Sequence, residues 1–222
     1  MPDHLTPPAP PTPSIGVIGL GAMGRGMATS LRRAGYRVHV CDVRLEAAQA
    51  FAEEGGVACA NPAEVAAHCE VIVSVVVNAA QTEAVLFGDG GAAAAMRPGS
   101  VFVMCSTVDP NWSVALEGRL AALGMLYLDA PISGGAAKAA SGQMTMMTAG
   151  RPEAYAKVGD ALDAMAAKVY RLGDQAGNGS KVKIINQLLA GVHIAAAAEA
   201  MALGLREGVD AAALYEVITH SA

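Results

Sequence analysis

The chain has 222 residues, 53% hydrophobic and 16% charged, which makes a sizeable core affordable and excludes disorder outside the ends. Its formal net charge is −5 and no long basic run is present, which argues against nucleic acid as a partner. Aromatic residues are only 4%, so the interior has to be built from Ala, Val, Leu, Ile and Met.

The proline-rich start, Met1–Pro13, lacks an apolar signal core and reads as a disordered tail. Ser14–Leu20 is a short apolar run that ends in glycines, as expected of a buried strand. Met23–Ala34 puts Met23, Met27 and Leu31 on one helical face, and Gly35 follows as a stop. Arg37–Cys41 reads as a second strand, and Arg44–Glu54 as a helix ended by Gly55-Gly56. Asn61-Pro62-Ala63-Glu64 is a helix start: Asn61 can cap, Pro62 suits the first position, and Glu64 follows three after the cap. Val71–Val77 is a continuous β-branched run, the pattern of a strand buried on both faces. A helix over Ala79–Phe87, a strand over Ser100–Cys105 and a helix from Asp109-Pro110 to Leu123 come next. Met125–Ala130, Met144–Ala149 and Lys168–Leu172 read as later strands, with a helix over Arg151–Met165. The alternation predicts an open α/β sheet, largely parallel.

The pattern changes after Gly179. Ser180 to about Gly208 has no proline and almost no strand signal, so one long helix is expected, followed by a helix capped by Asp210 that runs to about Thr219. Two helices cannot bury themselves as a domain. The expected organisation is a tail over 1–13, a dinucleotide-binding domain over 14–178, and a long interdomain helix with the first helices of a truncated all-α domain over 179–222. Ile184–Ala198 carries no Asp, Glu, Lys or Arg, but it is shorter than the ~18–20 residues a spanning helix needs and includes Asn186, Gln187 and His193. No membrane partner is therefore expected. Cys41, Cys59, Cys69 and Cys105 form no C-x-x-C pair and no histidine stands at zinc-ligand spacing. They read as reduced, buried thiols of a cytoplasmic protein without a metal site.

Gly19-Leu20-Gly21-Ala22-Met23-Gly24 is a G-x-G-x-x-G that closes a predicted strand and opens a predicted helix. Gly19 permits the tight turn, Gly21 lets the backbone approach a pyrophosphate, and Gly24 lets helix and strand pack closely. The helix N-terminus offers unpaired N–H groups to phosphates. Asp42, at the end of the second strand, is placed to accept hydrogen bonds from the adenosine ribose and to repel a 2′-phosphate. This favours NAD over NADP, while Arg44 is a counter-signal. The doubly wound, Rossmann-like architecture follows.

Three later segments add chemistry: Asp129-Ala130-Pro131-Ile132-Ser133-Gly134-Gly135, then Gly142-Gln143-Met144-Thr145, then Gly177-Asn178-Gly179 with Lys183, Asn186 and Gln187. Ser133-Gly134-Gly135 reads as a loop past a strand end whose hydroxyl and N–H groups could cradle a carboxylate; by itself it is also an ordinary turn. Lys183 lies near the start of the long helix, with Asn186 and Gln187 on its face. The positive helix end and burial beside a cofactor would both disfavour the charged amine, bringing it towards proton transfer. Taken alone, a lysine here is commoner as a solvated surface group.

Together GLGAMGRGMA, DAPISGG and GNGSKVKIINQ resemble, in the right order, the motifs of the β-hydroxyacid dehydrogenase family. The resemblance implies an oxidoreductase that moves hydride between NAD and a small hydroxyacid. It implies Lys183 as general acid/base, Asn186 with Gln187 orienting it and the substrate, and Ser133, Gly134 and Gly135 on the substrate carboxylate. It further implies Thr107 near the nicotinamide, Val77 and Asn78 along the cofactor, and assembly as a homodimer or homotetramer. Within the family, VVVNAAQTEAVLFG, KAASGQMTMM and KIINQLLAGVHIAAAAEAMAL are similar to a subgroup that oxidises C2 of a four-carbon sugar acid. That subgroup commonly has histidine where this chain has Asn186, so other hydroxyacids, of the 3-hydroxyisobutyrate or tartronate semialdehyde type, stay open. The related 6-phosphogluconate enzymes would show K-x-x-H-N, which Lys183-Ile184-Ile185-Asn186-Gln187 is not. A non-catalytic NAD-binding fragment is the alternative from another class.

Overall fold

The computed structural model describes residues 13–221. Of the expected tail, all but Pro13 lies outside them; the Pro13 carbonyl accepts the Arg37 N–H at 3.1 Å. The contacts divide the chain into two units, Met1–Lys181 and Val182–Ala222.

The first unit is built on a six-stranded sheet. Its strands are β1 (Ser14–Ile18), β2 (Arg37–Cys41), β3 (Val57–Ala58), β4 (Val71–Ser74), β5 (Val101–Met104) and β6 (Leu126–Asp129), in the spatial order β3-β2-β1-β4-β5-β6. Every neighbouring pair is parallel. The order reverses between β1 and β4, which opens a crevice at the carboxyl ends of those strands.

Helices α1 (Gly24–Arg33), α2 (Leu45–Glu53), α3 (Pro62–His68), α4 (Ala79–Phe87) and α5 (Pro110–Ala122) connect these strands. The continuous apolar runs follow from burial on both faces. Val71, Val73, Val101 and Val103 join one core with Met27 and Leu31 of α1. Their neighbours Ile72, Phe102 and Met104 join the other with Val65, Leu86, Leu116 and Leu120. The period of two thus sorts each strand between two helix layers.

A second, three-stranded sheet is made of β7 (Ile132–Ser133), β8 (Met144–Thr148) and β9 (Ala166–Arg171). β7 runs antiparallel to β8 and β9 parallel to it. Helices α6 (Gly135–Ala140) and α7 (Pro152–Met165) flank it. The second sheet departs from the pattern expected of the sequence. Ser133-Gly134-Gly135 is not a plain loop: Ser133 pairs with Thr145, and Gly135 opens α6. The expected strands over Ser14–Leu20, Val71–Val77 and Ser100–Cys105 are also shorter, although the Ile18 carbonyl still accepts from Val75 N–H at 2.8 Å just past β4. The four cysteines are free and buried, and burial pushes their thiols up to about 11 for Cys41 and Cys59 and about 12 for Cys69 and Cys105.

Helix α8 (Asn178–Arg206) begins in the first unit and runs into the second, where α9 (Ala211–Ser221) follows. Asp210 caps α9 by accepting the Ala213 N–H at 3.0 Å. At 29 residues, with an 18-residue window of mean hydropathy 1.7, α8 is long and apolar enough to cross a membrane by length and composition, which the shorter Ile184–Ala198 window concealed. Asn186, Gln187 and His193 within it would be costly in lipid. Its apolar residues include Ile185, Leu188, Leu189 and Ile194, all more than half exposed.

Candidate functional site

The crevice at the β1/β4 switch point holds the glycine turn. Gly19 has φ +94°, and a Cβ there would stand 2.5 Å from the Val75 carbonyl oxygen. A Cβ on Gly24 would strike the Gly19 carbonyl oxygen, so the last glycine is what lets α1 start against β1. Around Gly21 the space is open, which leaves its backbone approachable by a ligand. Ala22 is exposed and Met23 half-buried between them.

Asp42 follows β2. One carboxylate oxygen accepts the Leu20 N–H at 2.6 Å and the other the Arg44 N–H at 2.9 Å, with the side chain 8% exposed. The acid expected on the ribose therefore also ties the glycine turn to the loop after β2. Each oxygen keeps a lone pair for a ribose hydroxyl. The Arg44 guanidinium, a group suited to a 2′-phosphate, lies 3.5 Å from the same carboxylate.

A groove of about 560 Å³ runs from this turn, lined by Gly19, Gly21, Asp42 and Val77 among the expected residues. Its volume is that of an ordinary small-molecule site. It also takes in Val43, Leu45 and Gln81, and the helix-start residues Asn61 and Pro62, none of which was expected at a ligand site. Val43 carried a usable signal: an apolar residue beside the acid that follows β2, fully exposed in the fold. Asn78 does not line this groove. It caps α4, accepting the Gln81 N–H at 3.0 Å, while the Gln81 side chain accepts the Val77 N–H at 2.8 Å. Thr107 is exposed just past β5, and its neighbour Ser106 donates to the Val76 carbonyl at 2.8 Å, tying the ends of β4 and β5. Gly134 and Gly135, at φ +139° and +73°, are exposed just past β7 of the second sheet, and Ser133 is half-buried. The open backbone at Gly21, the free N–H groups of α1, the apolar walls and the Asp42 carboxylate fit a dinucleotide.

In the second unit, Lys183 is 7% exposed, and its Nζ donates to Gln187 Oε1 at 3.0 Å, one helical turn on. Desolvation lowers its pKa below the ordinary lysine value. Asn186, expected to share that role, and Gln187 are both exposed on α8, and the partner found on the lysine is Gln187.

A doubly wound parallel sheet with a glycine turn at its switch point defines an NAD(P)-binding protein. Residues 14–173 match the family described as the NAD binding domain of 6-phosphogluconate dehydrogenase. Residues 177–222 match that described as the NAD-binding of NADP-dependent 3-hydroxyisobutyrate dehydrogenase. The chain is 67% identical to an L-threonate dehydrogenase of Cupriavidus necator over 209 residues, 94% of this chain and 70% of that protein. It is 46% identical to a solved 3-hydroxyisobutyrate dehydrogenase of Salmonella typhimurium, with a TM-score of 0.90 over 95% of this chain and 73% of that one. A Mycobacterium tuberculosis 3-hydroxyisobutyrate dehydrogenase, solved with L-serine, gives 30% identity and a TM-score of 0.82 over 95% and 71%. The chain belongs to the β-hydroxyacid dehydrogenase family, NAD(P)-dependent oxidoreductases acting on small hydroxyacids.

Proposed function

We propose that this chain oxidises the C2 hydroxyl of L-threonate to a ketone with NAD, Lys183 serving as general acid/base. The observation that carries the reading is a buried lysine of lowered pKa held by Gln187, in a chain 67% identical to an L-threonate dehydrogenase. The glycine turn from Gly19 to Gly24 takes the pyrophosphate, Asp42 the adenosine ribose, and Val77, Asn78 and Thr107 flank the cofactor further along the sheet edge. When bound, the nicotinamide supplies the hydride acceptor. Ser133, Gly134 and Gly135 receive the substrate carboxylate. Neutral Lys183 accepts the hydroxyl proton as the carbonyl forms, and returns it in the reverse reduction. Asn186 contacts the substrate, and Gln187 keeps the amine in one rotamer. Asp42, with Arg44 drawn to it, sets the preference for NAD over NADP.

The domain division is tail 1–13, cofactor domain 14–178 and helical segment 179–222. The exposed apolar residues of α8 suit packing against a second copy, hence a homodimer or homotetramer. Reduced, buried thiols suit the cytoplasm.

The test is NADH or NADPH formation across L-threonate, 3-hydroxyisobutyrate and glycerate, the alcohol corresponding to tartronate semialdehyde, with NAD and with NADP. L-threonate is expected to give the highest kcat/KM, and Lys183→Ala to abolish turnover while NAD binding is kept. Preference for 3-hydroxyisobutyrate would support a second reading, which Asn186 favours because the L-threonate subgroup commonly has histidine there. Turnover retained by Lys183→Ala removes the lysine from the chemistry.

A further inference from the structure

Helix α8 starts without a cap of its own. The residue before it is Gly177, at φ +93°, with no side chain to accept the free N–H groups of the first turn. A residue far away in sequence does so instead. One carboxylate oxygen of Asp129, at the end of β6, accepts the N–H groups of both Gly177 and Ser180 at 2.9 Å. The other accepts the Ser180 hydroxyl at 2.7 Å. Asp129 is 0% exposed and Ser180 1%. Asn178 adds a bond from its side-chain amide to the Leu172 carbonyl at 3.0 Å.

The small residues of Gly177-Asn178-Gly179-Ser180 make this approach possible. A Cβ on Gly179 would strike the Met147 carbonyl oxygen and lie 3.2 Å from the Asp129 carboxylate. One on Gly177 would stand 2.9 Å from Val114 Cγ2. A buried carboxylate is costly even with three donors, and here burial outweighs them, raising its pKa. Such a group suits registration better than bulk stability.

We propose that Asp129 is a positioning residue: it caps α8 from the end of β6 and thereby fixes where the Lys183 amine stands. The inference rests on the reading of Lys183 given above. Lys183 lies three residues past Ser180, on the same face and about 4.5 Å further along the axis. A first turn that frays or slips therefore carries the lysine with it.

Asp129→Ala, Asp129→Asn and Ser180→Ala in the full chain test this. Asparagine can keep both backbone bonds through its single oxygen, while its amide donates to a Ser180 hydroxyl that has turned to accept. Asp129→Ala is expected to lower kcat on L-threonate by roughly 100-fold, the cost of a misplaced catalytic group, with the NAD dissociation constant unchanged. Asp129→Asn should recover kcat to within about threefold, because its hydrogen bonds are kept. Hydrogen exchange at residues 177–183 should quicken in Asp129→Ala and stay at the wild-type rate in Asp129→Asn. Wild-type exchange there in Asp129→Ala, or equal losses in the Ala and Asn variants, overturns the proposal. Should Asp129→Ala fail to fold, Ser180→Ala must quicken exchange in the first turn more than Asp129→Asn does, and the opposite order overturns it. Lys183→Ala measured alongside separates the two readings. Turnover retained there removes the lysine reading, whereas turnover lost there but kept in Asp129→Ala removes only the role of Asp129.

Discussion

Asp42→Asn should be more damaging than its size suggests. The carboxylate accepts one backbone N–H on each oxygen, Leu20 at 2.6 Å and Arg44 at 2.9 Å, and it is 8% exposed. Asparagine offers one acceptor oxygen, so whichever donor it keeps, its amide group confronts the other. A hydrogen bond to a charged group is worth about 1.5–3 kcal/mol, and a buried donor left unsatisfied costs more besides, so the change should cost about 2–3 kcal/mol in all. For a chain of this length that lowers the melting temperature by roughly 4–12 °C. Binding suffers separately, because the glycine turn and the loop after β2 lose their shared anchor and the ribose loses an acceptor. One such bond, about 1.4 kcal/mol, is a tenfold loss of NAD affinity. Discrimination against NADP should fall as well, since the charge that repels a 2′-phosphate is gone. Thermal melting with titration of NAD and NADP reads all three effects. A variant that melts within about 1 °C of wild type and binds NAD equally well would refute the anchoring role. At Asp129, by contrast, both backbone donors converge on one oxygen and the other faces a reversible hydroxyl, so the same substitution should be tolerated there.

Two further predictions concern the lysine and the packing behind the glycine loops. Hydroxyacid oxidation needs neutral Lys183, and desolvation lowers its pKa. The kcat/KM for oxidation should therefore rise with pH along a one-proton limb whose midpoint lies below the ordinary lysine value, and the limb should invert for reduction; a midpoint at or above that value counts against Lys183 as the base. Gly26→Ala adds a methyl that would lie 2.5 Å from the Ala140 nitrogen and 2.7 Å from the Ala139 carbonyl carbon, both backbone atoms, so α1 and α6 must part. Overpacking of this kind costs about 1–3 kcal/mol. Because α6 leads out of Gly134 and Gly135, KM for the hydroxyacid should rise in steady-state kinetics, and an unchanged melting temperature and KM would show that the helices yield freely.

What could be read from the sequence was local, and what could not was set by distant partners. Val71–Ser74 and Val101–Met104 are legible because burial on both faces leaves an unbroken apolar run. Asn61 is legible because its cap closes within three residues, on the Glu64 N–H at 2.9 Å. Ile132–Ser133 is a strand only because Thr145 and Met146 pair with it, and Gly135 opens a helix that a pair of glycines does not advertise. The Lys183–Gln187 pair follows from helical spacing; that the neighbouring Asn186 stands exposed does not. Asp42 was found as an acid at a strand end, but its grip on Leu20 spans 22 residues. Asp129 reaches further, to Gly177 and Ser180, 48 and 51 residues on. In the sequence it is merely the first residue of DAPISGG, and the glycines around Asn178 are only part of GNGSKVKIINQ. In the fold each explains the other: glycines are there because a carboxylate must come close, and the carboxylate can be buried because those glycines expose backbone donors. The residues that place a catalytic group are in this way harder to see than the group itself, since their chemistry is complete only when two distant segments meet.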